Sequence, residues 1–493
     1  MPEMILPGTY IEVRAEGLIR PGPISIGNVG IVGTAQRGRL ADPNDPDTVY
    51  KPASIGESRE IFGEYDAFGN PIESPNELTL VRAMEQAYAN GAQRVFAVRV
   101  ANIPAPEPPK AAYELETSDA NTVTVEAREH GTGYNNALVE VEEAATSGFL
   151  DVTFTTDDDR VQESWRNVPA TVEEFAQAIN GTHPTYNYGT LASTGGESTL
   201  FEVNVGSGTG NVVATEGATQ TETSATNGAA AIATNYESGL ASLLNQDVHI
   251  IILAGQDAGV MGSTLVSHVE NASTDLMKRE RIGVIGSSTS GTVTSLVAPA
   301  QDEGRLIFTG PGIRVNDAVS GREVTLPGTY AAAAVAGRIS SLDPHASPTN
   351  KTINANKLET NFNGTELEQL LLGRVLALEN RNGTIRIVRG LTTSTNTAWS
   401  QITTRRIVDY ARFGVRAAAN PFIGKLNNER VRQALKGSVN SLLAAMVDRE
   451  MLIGYELDVS ATRDQQIRGI AQVTMVLQPT FSIDFIRVVM YLQ

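Results

Sequence analysis

Val248-His249-Ile250-Ile251-Ile252-Leu253, Ile282-Gly283-Val284-Ile285 and Arg305-Leu306-Ile307-Phe308 are three short apolar runs whose spacing decides the fold. Continuous runs of β-branched and apolar residues, with no polar alternation, read as strands buried on both faces. The stretches between them, about 260 to 276 and about 292 to 301, read as helices. Strands alternating with helices at this spacing build consecutive βαβ units, which wind right-handedly into a parallel sheet. The fold class is therefore α/β. Nearer the N-terminus the pattern repeats with strand Val29-Gly30-Ile31-Val32-Gly33, a helix near Leu78 to Asn90 with apolar residues at 80, 81, 84, 87 and 88, and strand Arg94 to Val100. Gly91 stands where a helix C-terminal cap belongs. Residues 28–102 and 236–350 are thus expected to form one discontinuous α/β core.

The interruption, residues 103–235, has a different character. Four prolines between Pro104 and Pro109 make a stiff extended spacer. Alternating strands follow at 123–127, 138–141 and 150–154, with a helix at 171–179 and a stretch rich in Gly, Thr, Ser, Ala and Asn from 189 to 235. This composition favours short β segments and surface loops, a β-rich domain inserted into another fold.

A third pattern begins at about 351 and is expected to be an α+β domain ending at 483. A helix from Arg405 to Ala419 stops at Asn420-Pro421, and its charges at 405, 409, 412 and 416 share one face. A second helix from about 428 to 447 carries Val431, Leu435, Val439, Leu442 and Met446 as a buried stripe. Strands Ile467 to Leu477 and Ser482 to Leu492, with Pro479 in the bend, would close the chain as a hairpin whose last strand, 484–493, is a C-terminal arm. Residues 1–27 read as an N-terminal arm. Its short run Tyr10-Ile11-Glu12-Val13-Arg14, between Pro7-Gly8 and Pro21-Gly22-Pro23, cannot bury a face alone and needs a sheet in its own chain or a neighbour.

The chain has 493 residues, room for about three domains at roughly 150 residues each. Its 41% hydrophobic and 19% charged residues are those of packed soluble modules. Cysteine is absent, which removes disulfides, thiolate metal sites and cysteine nucleophiles together and fits a reducing cytosol. The N-terminus has no signal-peptide pattern, and no apolar run approaches the roughly 20 residues that cross a bilayer, so no membrane insertion is expected. The net charge of −18 argues on average against polyanionic partners, but it hides a split. Residues 1–277 carry 13 Lys+Arg against 38 Asp+Glu, whereas residues 278–493 carry 25 against 18. Within 401–450, nine basic residues face four acidic ones. Such asymmetry points to two surfaces with different partners.

No motif for chemistry stands out. The five histidines form neither an HxH nor an HExxH pair, so no zinc site is expected. Asp157-Asp158-Asp159 lacks the alternation of a calcium loop and reads as a solvated turn. Gly206-Ser207-Gly208-Thr209-Gly210 has no lysine after it and no strand-to-helix setting, which leaves no phosphate cradle. The Asn-Gly-Thr triplets at 180, 363 and 382 read as turns.

The ordered features resemble the contractile tail sheath proteins of myophages and related contractile injection systems. Leu6-Pro7-Gly8-Thr9-Tyr10-Ile11-Glu12 is similar to the arm with which these sheaths begin, and Gly30 to Gly38 to the strand that opens their core. Ile55-Gly56-Glu57-Ser58-Arg59-Glu60-Ile61-Phe62-Gly63, followed by Ala87-Tyr88-Ala89-Asn90-Gly91-Ala92, resembles a further family segment, with alanine where a second glycine is usual. Leu326 to Tyr330 and Ala336-Gly337-Arg338 with Asp343 match loosely. Trp399 through Arg405-Arg406-Ile407-Val408-Asp409-Tyr410, the 428–447 helix and the strand at 454–459 run in the family's order. The resemblance covers 1–102 and 236–493, and 103–235 matches nothing specific.

The resemblance implies a structural subunit without catalytic residues, metal or cofactor. It would polymerise helically in stacked, hexameric rings around a tail tube protein and contract to drive the tube through the target envelope for genome ejection. Baseplate and tail terminator proteins would be further partners, with no direct nucleic acid contact. The chain would reside in the virion tail after assembly in the host bacterial cytoplasm. Arms would exchange strands between subunits through Thr9, Tyr10, Ile11, Glu12 and Val13 and through Phe485, Ile486, Arg487, Val488 and Val489. Glu16 to Asn28 and Gln478 to Ser482 would be hinges. Tube-facing charges would come from Arg405, Arg412, Arg416, Arg430, Arg432 and Lys436, unless these pair within the chain, as Arg405 or Arg412 could with Asp409. The rival reading is a virion or cell-surface adhesin whose Thr/Gly-rich module binds carbohydrate.

Overall fold

The computed structural model describes residues 27–66, 78–184, 196–206, 209–222, 225–288, 291–297 and 301–491. The chain divides into two compact units. One comprises 27–343 and 348–401; the other contains 344–347 and 402–491.

In the first unit the chain opens with β1 (Val29–Gly33), α1 (Ile55–Phe62), α2 (Leu80–Ala89) and β2 (Val95–Arg99). An inserted domain follows: β3 (Ala112–Glu116), β4 (Thr122–Ala127), β5 (Leu138–Glu143), β6 (Phe149–Thr155), β7 (Gln162–Pro169), α3 (Val172–Ile179), β8 (Phe201–Asn204) and β9 (Thr219–Glu222). The core resumes with α4 (Ala233–Leu243), β10 (Ile250–Asp257), α5 (Ala258–Ala272), β11 (Ile282–Gly286), α6 (Val293–Val297) and β12 (Leu306–Gly310). It continues through β13 (Ile313–Asn316), β14 (Glu323–Leu326), α7 (Gly328–Ser340), β15 (Lys357–Leu358), α8 (Gly364–Leu372), β16 (Leu376–Arg381) and β17 (Thr384–Ile387). The second unit holds α9 (Ile402–Ala419), α10 (Glu429–Asp448), β18 (Leu452–Ser460), α11 (Arg463–Ile467) and β19 (Gln472–Pro479).

The core sheet has seven strands in the order β17-β16-β12-β11-β10-β1-β2, all parallel except β17. Alternate residues feed its two faces. Val32, Val98, Ile251, Leu253, Ile285 and Phe308 pack with α4, α5, α6 and α8. On the other face lies α7, buried nearly all round from Tyr330 to Gly337. Small residues let α7 approach α2 closely: a Cβ on Gly337 would stand 2.2 Å from the Ala87 carbonyl oxygen. The sequence placed α5 as far as 276, but it ends at Ala272 because the chain turns through Thr274 and Lys278, the latter in the left-handed region at φ 57°. Of the helix expected at 292–301, Val293–Val297 is helical and 298–300 lie outside the described residues.

Two expectations need correction. The boundary placed at 350/351 falls at 401/402, because β16 inserts Leu376 and Ala377 beside β12 and its Leu376, Ala377 and Leu378 are fully buried. The terminal hairpin is formed by β18 and β19 around the α11 turn, and 480–491 lie in no strand among the described residues. The N-terminal arm, 1–26, lies outside the described residues, and with it Thr9, Tyr10, Ile11, Glu12, Val13 and most of the first hinge.

The inserted domain builds two sheets, β8-β4-β3-β9 and β5-β6-β7, whose alternating inward residues share one core. Phe201 stands edge-on to Tyr113, Tyr134 and Phe154 at centroid distances of 5.6, 6.1 and 5.3 Å, an arrangement aromatic quadrupoles favour. Of the Asn-Gly-Thr triplets, Asn180 caps the end of α3, Asn363 caps the start of α8, and Asn382-Gly383 makes the β16–β17 turn.

Candidate assembly interface

Open α/β sheets hold ligands beyond the carboxyl ends of their strands, where the strand order reverses. Here that point lies between β1 and β10. The chain fills it with itself. Thr34 and Thr79 bond each other through backbone and hydroxyl groups at 3.1–3.2 Å, and the Leu80 amide donates to the Thr34 carbonyl at 2.9 Å. A Cβ on Gly33 would stand 2.8 Å from the Thr79 hydroxyl, and one on Gly255, where φ is +69°, 2.6 Å from the Thr79 methyl. The Tyr236 hydroxyl closes the far side, donating to the Ala254 carbonyl and accepting from Gln256. Among the described residues, no group of three or more His, Asp and Glu side chains could hold a metal ion, and no helix is long and apolar enough to cross a membrane.

The edges of the sheets carry more information. An exposed edge strand offers unpaired amides and carbonyls to any other chain, and proteins usually cover it. The core sheet is covered on both sides. Along β2, Tyr50 exchanges both backbone bonds with Ala97 (2.9 and 3.0 Å), and the Ala41 amide donates to the Arg99 carbonyl at 2.9 Å. Along β17, Asn350 donates to Ile387, which donates back to Lys351, while Ile353 donates to Ile385.

The second unit is built differently. Helices α9 and α10 pack through Ile407, Tyr410 and Ala411 against Leu435, Val439, Leu442 and Met446, with Gly414 admitting Leu442 closely. The hairpin lays one face on α10: Tyr455, Leu457 and Val459 pair across the strands with Leu477, Met475 and Val473. The Tyr455 hydroxyl donates to the Asn440 side-chain oxygen at 2.8 Å. The opposite face carries Glu456, Asp458, Gln472, Thr474 and Gln478. Among the described residues, β18 and β19, nine and eight residues long, pair only with each other. Directly after β19 come Phe481, Ile483, Phe485, Ile486, Val488, Val489, Met490 and Tyr491, all 58–88% exposed.

The basic side chains expected to face a partner fall into four settings. Arg405, Arg412 and Arg416 line one face of α9, half-buried, beside the buried Asp409. Arg430 is exposed in the first turn of α10, about 160° around that helix from Arg432 at 3.6 residues per turn. Arg432 is buried: its guanidinium donates to the Asn427 carbonyl and side-chain oxygen and pairs with Glu429 at 2.6 Å, bracing the helix start that Asn428 caps. Lys436 turns toward Asp458 of β18 at 3.8 Å. Of the expected arm residues, Phe485, Ile486, Arg487, Val488 and Val489 lie together in the exposed terminal segment.

Family models match the chain in two adjoining pieces: the phage tail sheath protein central domain over 201–393 and the phage tail sheath C-terminal domain over 394–493. Together they span well over half of the chain, which therefore belongs to the phage tail sheath protein family. Solved structures share the fold. A sheath tail protein from Listeria innocua aligns at 16% identity over 94% of each chain with a TM-score of 0.68. One from Desulfitobacterium hafniense aligns at 15% identity over 96% of this chain and all of that one, with a TM-score of 0.61. The contracted-state PVC sheath complex of an extracellular contractile injection system aligns at 11% identity over 100% and 98%, with a TM-score of 0.55. No curated protein matches. The chain is a structural sheath subunit of a phage tail or phage-tail-like particle, which decides between the two expectations in favour of the sheath.

Proposed function

We propose that copies of this chain polymerise helically around a tail tube, joined by exchanged arm strands, and that the lattice shortens to drive the tube through a target envelope for genome ejection. One observation carries the reading: the core sheet closes both its edges with its own loops, whereas the β18–β19 hairpin pairs only with itself among the described residues and is followed by an exposed apolar segment. Strand addition from neighbours would supply backbone hydrogen bonds of roughly 0.5–1.5 kcal/mol net each, multiplied over every subunit. The filled crevice between β1 and β10 favours energy drawn from new subunit contacts over a bound nucleotide. Arg405, Arg412, Arg416 and Arg430 are the proposed tube-facing charges; Arg432 and Lys436 serve within the subunit. Baseplate and terminator contacts, ring number and assembly in the host cytoplasm belong to the same reading. Deleting residues 1–20 tests it: the truncated chain is expected to fold with an unchanged melting midpoint and to form no tubes in negative stain, while the full chain does. Tubes from the truncated chain would refute strand exchange through the N-terminal arm.

A further inference from the structure

The inserted domain leaves and rejoins the core through two crossings, and the proline-rich one reads in the sequence as a spacer between independent bodies. The contacts say otherwise. The two crossings bond each other, the Ala229 amide donating to the Asn102 carbonyl at 2.8 Å. Beyond them, core residues 35–38 are gripped from the inserted side. Arg37, 2% exposed, donates both terminal nitrogens to the Asp158 carboxylate at 3.0 Å and also reaches the Arg59 and Glu60 carbonyls at 3.1 Å. Asp158 is held in turn by the Thr156 hydroxyl at 2.6 Å, and Arg160 beside it extends to Glu64 of the core at 3.2 Å. Arg99, fully buried, ties three carbonyls: Ala35 and Gly38 of the core and His130 of the inserted domain, at 3.0, 2.6 and 2.5 Å. The Gly38 amide donates to the Tyr134 hydroxyl and the Gly133 amide to the Gln36 carbonyl. Gly131 passes so close that a Cβ would stand 1.9 Å from the Gln36 oxygen.

We propose that this seam is a latch that makes the inserted domain and the α/β core a single mechanical body. Bidentate guanidinium–carboxylate geometry fixes orientation as well as distance. Removing one partner leaves a buried charge uncompensated, so the seam resists hinging. The latch rests on the fold alone.

Hydrogen exchange on the full-length chain tests it. Asp158→Ala is expected to speed exchange of the Gly38 and Gly133 amides about tenfold or more, with β10 and β6 amides unchanged. Tyr134→Phe, which removes only the hydroxyl that accepts from Gly38, guards against a variant that does not fold and is expected to speed Gly38 alone. Seam amides that exchange at the wild-type rate in both variants, or exchange that rises equally in β10, β6 and the seam, would overturn the proposal.

Discussion

Arg82 reaches from α2 into a buried site beside Tyr65, Asp66 and Asp317. Its guanidinium donates to Asp317 at 2.8 Å and to the Asp66 carbonyl at 2.6 Å, and lies 4.0 Å over the ring of Tyr65. Burial works against the charge of Asp317, but hydrogen bonds from Ser320 and then from Arg82 outweigh it and hold its carboxyl below the usual range. Because both side chains are buried, Asp317→Ala strands a cation and is expected to lower unfolding free energy by about 3–5 kcal/mol at pH 7. The folded pKa is depressed, so the wild-type advantage is complete above the unfolded value near 3.9 and disappears as pH falls through the lower folded value. Denaturant titrations at pH 7, 5 and 2.5 check both size and sign; an equal gap at every pH would contradict this account. At this scale the sequence was least legible. Asp158, read as part of a solvated turn, anchors Arg37 from 121 positions away, and Arg432, read as tube-facing, turns inward to brace its own helix. Residue type and local spacing do not reveal which distant charge a side chain will meet.

Elements were more legible, since apolar periodicity senses burial directly. The three runs that set the α/β pattern became β10, β11 and β12, and the two basic helices became α9 and α10, with boundaries within a few residues. The terminal hairpin shows where periodicity fails. Residues 482–492 are rich in the β-branched and aromatic residues of a strand, but that enrichment records a preference for a pleated, half-buried ribbon and says nothing of where its partner lies. The pair that did form, β18 with β19, is joined through α11 and the left-handed Gly469, a longer connection than a hairpin signal leads one to expect. On α9 the steps of three and four did place Arg405, Arg412 and Arg416 on one face. Replacing these three with glutamate is expected to abolish cosedimentation with purified tail tube while leaving the subunit's melting midpoint in place. Undiminished cosedimentation would remove this face from the proposed tube contact.

For the whole molecule, charge organises the account. The net −18 is an average over an acidic first part and a basic C-terminal part, and the boundary at 401/402 puts eight of the nine basic residues of 401–450 on α9, α10 and the loop between them. Residues 351–401 begin with few apolar residues, so it is long-range pairing, β15 with β13 and β16 with β12, that assigns them to the core. A core with both sheet edges closed and a C-terminal hairpin that pairs only with itself among the described residues suit a subunit that associates through its arms. Cryo-electron microscopy of tubes assembled from the purified full-length chain tests this most directly, by the number of strands in the sheet that contains β18 and β19. Four are expected, the two added strands coming from the N- and C-terminal arms of other copies. A tube in which that sheet still has two strands would contradict it.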